Sequence, residues 1–195
     1  MSRQTRRSFL RKTAAIGLGV TSAISGTKAS GRILGANDRI RFAIVGTGGR
    51  GSYHVSCYCG LKDDVEITYL VDPDARRLPN NVNVIKQNVG NTPKCAADIR
   101  QALDDKNIDA VSIASPNHWH ALSVIWACQA GKDAYVEKPG THNIWEGRKM
   151  VEAAQKYDRV VQHGVQLRSS PAVNEAIGLL REGYIGRVYM ARGLV

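Results

Sequence analysis

Three short stretches of this sequence hold residue types, at spacings, that binding and catalysis use. The first is AIVGTGGRG at residues 43–51, in which Gly46, Gly48 and Gly51 form G-x-G-x-x-G at the end of an apolar run. Such a loop cradles a pyrophosphate: Gly46 permits the tight turn, Gly48 lets the backbone approach the anion, and Gly51 allows a helix to pack against a strand. The helix amino terminus then aims its N–H groups at the phosphates. Thr47, Gly49 and Arg50 complete the loop and are expected among the cofactor contacts. Asp72 closes the next apolar run, 21 residues beyond Gly51, where a carboxylate meets the ribose hydroxyls of an adenosine half. A carboxylate there repels a 2′-phosphate, which favours NAD over NADP. Arg50, Arg76 and Arg77 nearby soften that preference.

The second stretch is Ser115-Pro116-Asn117-His118-Trp119-His120 and the third is Glu137-Lys138-Pro139-Gly140. Each follows an apolar run, and ligands of open parallel sheets bind beyond the carboxyl ends of the strands. His118 and His120 do not read as a metal pair, because on a helix their rings diverge by about 200°. His120 reads instead as a capping or cofactor-contacting group. No metal is expected. Cys57 and Cys59 with His54 fall inside one predicted helix, and the four cysteines, with Cys95 and Cys128, match neither a zinc module nor a disulfide framework. Lys138 carries an amine that could serve as an acid-base group at such a site, help worth roughly 10²- to 10⁴-fold. A lysine titrates near ~10.4 in water, so that role calls for desolvation or a neighbouring positive charge. The plain alternative is a surface lysine paired with Glu137.

Regular elements must bring these stretches together. Apolar runs occupy residues 40–45, 65–71, 110–114, 134–136 and 160–165, and helical patterns fill 49–61, 97–104, 117–130 and 143–157. Runs without alternation mark strands buried on both faces. Their alternation with helices predicts an α/β fold, a Rossmann-type doubly wound parallel sheet over residues 39–165. Residues 76–94 should supply another helix, yet LPNNVNVIKQNVGNTP holds two prolines, five asparagines and a glycine, which predicts a short or broken helix and then a loop. Residues 171–181 read as a helix and 186–191 as a strand. A second, α+β domain is therefore expected to begin at residue 166 and to be mostly absent from these 195 residues.

The formal charge of +10 does not mark a nucleic-acid partner. Arg3, Arg6, Arg7, Arg11, Lys12 and Lys28 crowd residues 1–29 without an acid, leaving 21 bases against 17 acids elsewhere, an ordinary surface. A basic start, an apolar run over 13–24 and small residues at 27–29 have signal-peptide layout. Arg6-Arg7-Ser8-Phe9-Leu10-Arg11 resembles the twin-arginine signal, which exports proteins already folded. Residues 1–29 are thus expected to be a leader cut after Ala29, and 30–38 a linker. The protein is expected to use the twin-arginine export machinery and to work in the periplasm or outside the cell. Free dinucleotide is absent there, so cofactor capture should precede export, with tight retention and recycling within one turnover.

Taken in order, AIVGTGGRG, SPNHWH, VEKPG, GVQLRSSP and GYIGRVYMARG resemble the glucose-fructose oxidoreductase and inositol dehydrogenase (Gfo/Idh/MocA) family. The resemblance implies an NAD(P)-dependent oxidoreductase acting on a sugar, polyol or cyclitol hydroxyl. Lys138 would contact that hydroxyl, with His120 beside it as a second catalytic candidate. Glu137 and Pro139 would shape the wall beside the nicotinamide, Asn117 and His120 would line that half of the cofactor, and Ser115 and Pro116 would turn over it. The family's Lys-Pro bond is often cis, which makes Lys138–Pro139 a candidate. Gln166 and Arg168 would reach substrate. Further acid-base residues belong to the family's second domain, through which full-length members form homo-oligomers, so residues 1–195 alone should be inactive. Two other readings stand beside this one: an NAD-assisted glycosidase using transient sugar oxidation, and a non-catalytic dinucleotide-binding protein.

Overall fold

A computed structural model of the chain describes residues 39–193; the leader and linker readings lie outside the described residues. Six strands, β1 (Ile40–Val45), β2 (Val65–Val71), β3 (Lys94–Ala96), β4 (Ala110–Ile113), β5 (Asp133–Val136) and β6 (Val161–His163), form one sheet. All pair in parallel, in the order β3-β2-β1-β4-β5-β6. Helices α1 (Gly49–Cys59), α2 (Leu78–Val89), α3 (Ile99–Leu103), α4 (His120–Gln129) and α5 (Ile144–Lys156) connect them, and α6 (Pro171–Arg181) follows the sheet. This is the predicted doubly wound α/β architecture. Chain direction across the sheet reverses between β1 and β4, and their carboxyl ends open into a crevice.

The apolar runs do not alternate because helices cover both faces. Along β1, Ala43 and Val45 join a core with Val111, Ile113, Val124 and Val136, while Ile44 joins the opposite core with Val55, Leu70 and Ile85.

Two expectations are corrected. Residues 78–89 form one continuous helix, not a broken one. Leu78, Asn81 and Ile85 face inward, Pro79 sits in the first turn where its missing N–H is harmless, and Gly90 closes the end at φ 85°. Asn81 is buried, and its amide donates to the carbonyls of Thr47 and Arg77, so a poor helix former is held by tertiary contacts. Residues 186–191 are exposed and form no strand. A strand needs a neighbour for its N–H and C=O groups, and the described sheet ends at β6.

Candidate active site

The end of β1 delivers the glycine loop. Gly46 turns at φ 84° with its N–H on the Val71 carbonyl at 2.8 Å. A Cβ on Gly46 would stand 2.7 Å from the Ser115 nitrogen, and one on Gly51 only 1.7 Å from the Gly46 oxygen. These two glycines are required by close backbone approach. At Gly48 a Cβ would meet only the tip of the Arg77 side chain, and at Gly49 nothing. Helix α1 begins with no side-chain cap on Gly48 and no acid in its first turn. Its first internal bond runs from Ser52 N to Gly48 O at 2.8 Å, so the N–H groups of Gly49, Arg50 and Gly51 have no intrahelical partner. Uncapped N–H groups at the positive end of a helix fit an anionic phosphate.

Asp72 lies at the predicted place, but with a different primary task. Its Oδ2 accepts from the Thr47 N–H at 2.8 Å and the Thr47 hydroxyl at 3.1 Å, and its Oδ1 accepts from the Asp74 N–H at 2.9 Å. The carboxylate is buried and braces the loop with three of its roughly four acceptor sites, while the residue still lines the cleft. Asp74, which the sequence did not single out, stands further out, held by Arg76 and Arg77. Both acids line a cleft of about 720 Å³ that the glycine loop, Arg50, Ser115 and Pro116 also line. Ser115 Oγ is buried there without a partner. An orphaned hydroxyl beside uncapped helix N–H groups fits a dinucleotide, which brings both acceptors and donors.

A buried relay links this loop to the Glu137-Lys138-Pro139 stretch. Glu137 is 3% exposed. Its Oε1 accepts from Arg50 Nε at 2.7 Å and His54 Nε2 at 3.0 Å, and its Oε2 accepts from the Lys138 N–H at 3.2 Å. An ionised carboxylate only accepts, so His54 carries its proton on Nε2. Its Nδ1 accepts from the Ser112 hydroxyl at 3.0 Å, which in turn accepts from Tyr58 at 3.4 Å. Glu137 thus spends its carboxylate on Arg50 and His54, and Lys138 gives it only a backbone N–H. The side chain of Lys138 is exposed at the carboxyl edge, and the Lys138–Pro139 bond is cis.

Burial alone would raise Glu137, but hydrogen bonds from Arg50 and His54 prevail and hold it below its ordinary 4.5. Burial lowers His54 from 6.5, against the pull of Glu137. Both shifts act in one direction. Below about 6.5 the unfolded His54 takes up a proton before the folded one, and below 4.5 the unfolded Glu137 does the same, so stability falls with pH through both windows. Chemical denaturation midpoints from pH 8 to 4 should decline, and His54→Gln should flatten the decline between about pH 6.5 and 5.

His120 has another role than proton transfer. It is 2% exposed, with Nδ1 2.7 Å from the Pro139 carbonyl and Nε2 2.7 Å from the Ser115 carbonyl. Both ring nitrogens are committed, and the ring ties the β4 turn to the β5 turn. Asn117 is exposed in the one-turn helix Asn117–Trp119, next to Pro116. Gln166 and Arg168 are exposed in the one-turn helix Gln166–Ser169 after β6, and the cleft lining does not include them. Among the described residues no group of three or more His, Cys, Asp or Glu is placed to hold a metal. Cys57 and Cys95 are exposed, Cys59 and Cys128 buried, and all four are free thiols. Sequence reasoning missed His54, whose only signal is its place one turn after Gly51.

Inositol 2-dehydrogenase of Corynebacterium glutamicum (strain R) is 30% identical over 158 residues, covering 80% of this chain and 45% of the relative. A glycosyl hydrolase family 109 protein of Shewanella pealeana is 27% identical over 168 residues, 84% of this chain and 37% of the relative. The crystal structure of GenD2 from gentamicin A biosynthesis, in complex with NAD, superposes with a TM-score of 0.65 at 25% identity, covering 75% of this chain and 40% of that one. The chain spans less than half the length of these relatives. Residues 40–165, from the first strand through the end of the sheet, match the model of the oxidoreductase family with an NAD-binding Rossmann fold, and the chain belongs to that family.

Proposed function

We propose that the whole protein is an exported NAD-dependent oxidoreductase that moves hydride between its cofactor and a hydroxyl-bearing carbon of a sugar, polyol or cyclitol. The observation that carries this reading is the Arg50–Glu137 contact at 2.7 Å, which sets the phosphate loop against the strand end whose next residue is Lys138. Bound NAD supplies the hydride acceptor. The chain supplies the rest. The uncapped start of α1 holds the diphosphate, and Ser115 Oγ offers a hydrogen bond from the cleft wall. Lys138 receives the hydroxyl proton as the C–H bond breaks, so that a neutral carbonyl leaves. The neighbouring carboxylate is engaged by Arg50 and His54 and does not pair with this amine, and bound cofactor and substrate, by covering the exposed side chain, supply the desolvation that a proton-accepting lysine requires. Relatives named as inositol dehydrogenases support the substrate class, and an NAD complex in a structural relative supports the cofactor.

Export rests on Arg6-Arg7 and the apolar run behind them. A twin-arginine client folds around its cofactor inside and crosses loaded. The full-length protein purified from the periplasm should therefore release about one NAD per chain on denaturation, read by mass spectrometry, and reduce it when given inositols or sugars. A protein without nucleotide would remove the loaded-export reading, and one without affinity for NAD or NADP would remove the oxidoreductase reading. The glycosyl hydrolase family 109 relative favours a second outcome, a glycosidase. Sugar release with no net change in reduced nicotinamide would identify it.

A further inference from the structure

The cleft has two chemically different ends. At one end lie the glycine loop and Arg50, whose guanidinium reaches out of the lining to Glu137, the residue before Lys138. At the other, the residues after β3 (Ile99 and Arg100) face Trp119 and Trp126 from the segment after β4, and all four line the cleft. Trp119 is 45% exposed. Its ring lies 6.4 Å from that of Trp126 at 47°, and the Arg100 guanidinium sits 5.6 Å over the Trp126 ring, anchored by Asp98. Trp126 packs partly into the core, so Trp119 is the ring with an open face. An indole turned to solvent inside a cleft leaves a large apolar area wet, which a flat ligand would cover. A cation against the aromatic pair adds attraction for an electron-rich ring system.

We infer that Trp119 is the stacking platform for the adenine base, with Trp126 and Arg100 holding it in place. This deepens the proposed NAD site and rests on that reading. The direction of the ligand fixes the assignment. The loop takes the diphosphate, Lys138 lies on the β5 side, and the base must leave toward the end of β2 and the loop after β3, where the aromatic rings are. Nothing in the sequence alone distinguishes Trp119 from a core aromatic, because the exposure of its face depends on the turn Asn117–Trp119.

The test is nucleotide binding by the full-length protein, with ADP, NAD and nicotinamide mononucleotide as probes. Trp145, 67% exposed on α5 and absent from the cleft lining, is replaced by phenylalanine to remove background fluorescence. In that W145F protein ADP should quench tryptophan emission. Trp119→Ala should weaken ADP and NAD binding by roughly ten- to a hundred-fold, the effect of losing one base-stacking contact, and leave nicotinamide mononucleotide unaffected. Trp119→Phe should recover most of the loss. Absence of quenching, or Trp119→Ala binding ADP within twofold of the parent, overturns the platform while leaving the NAD site standing. A parent protein that binds neither ADP nor NAD overturns both.

Discussion

Lys138→Ala in the full-length protein should lower kcat by about 10²- to 10⁴-fold with NAD affinity unchanged. The physical case is local. Removing hydride from a carbinol carbon leaves a protonated carbonyl unless the hydroxyl proton departs in step, and the amine at the carboxyl edge beside Glu137 can receive it once bound cofactor and substrate exclude water from it. The loss would fall on kcat because the contact is made as the proton moves, not with the bound cofactor. Folding should be untouched, since the side chain is exposed and the bond from the position-138 N–H to Glu137 survives in alanine. Small primary amines added to the variant should restore part of the rate. A kcat within tenfold of the parent would move the proton transfer to another group.

The second large effect concerns Gly51. In Gly51→Ala the new methyl would lie 1.7 Å from the Gly46 oxygen and 2.8 Å from its carbonyl carbon, both backbone atoms that no rotamer can move. Relief requires separating α1 from the end of β1, which opens the core around Val55 and Ile44. The cost should exceed ~4 kcal/mol, in the range reserved for severe steric faults, and a domain stable by about 5–15 kcal/mol has little reserve beyond that. The variant should be largely insoluble or unable to bind NAD, as read by soluble yield and thermal melting. Gly49→Ala is the internal control. It meets no atom within 4 Å and should melt at or slightly above the parent temperature, since alanine is the better helix former. Equal melting of Gly51→Ala and parent would show that the β1–α1 contact is not tight.

The sheet was legible because its strands are buried on both faces and so read as apolar runs, and the glycine turn because its spacing encodes backbone proximity. β3 is not among those runs: Lys94-Cys95-Ala96 is short, lies at the sheet edge and has a single buried residue. α2 was obscured because its asparagines suggest loop, whereas Asn81 answers to the Thr47 carbonyl 34 positions away. Within the site, the three motifs were visible as strings, but not how their polar atoms are spent. His54 bonds a carboxylate 83 residues on, and His120 bonds two turns that only the folded sheet brings together. Such pairings depend on which helix face meets which strand end, a property that local spacing does not carry.

Glu137 reaches the first turn of α1 through Arg50, 87 residues back in the chain, while its own backbone leads directly into the amine-bearing residue. If the proposed roles of the glycine loop and Lys138 hold, the distance between the anion-holding and proton-accepting groups is thereby gauged by the protein itself, like a ruler closed at one mark. A ligand spanning both ends need not spend binding energy on bringing them into registry.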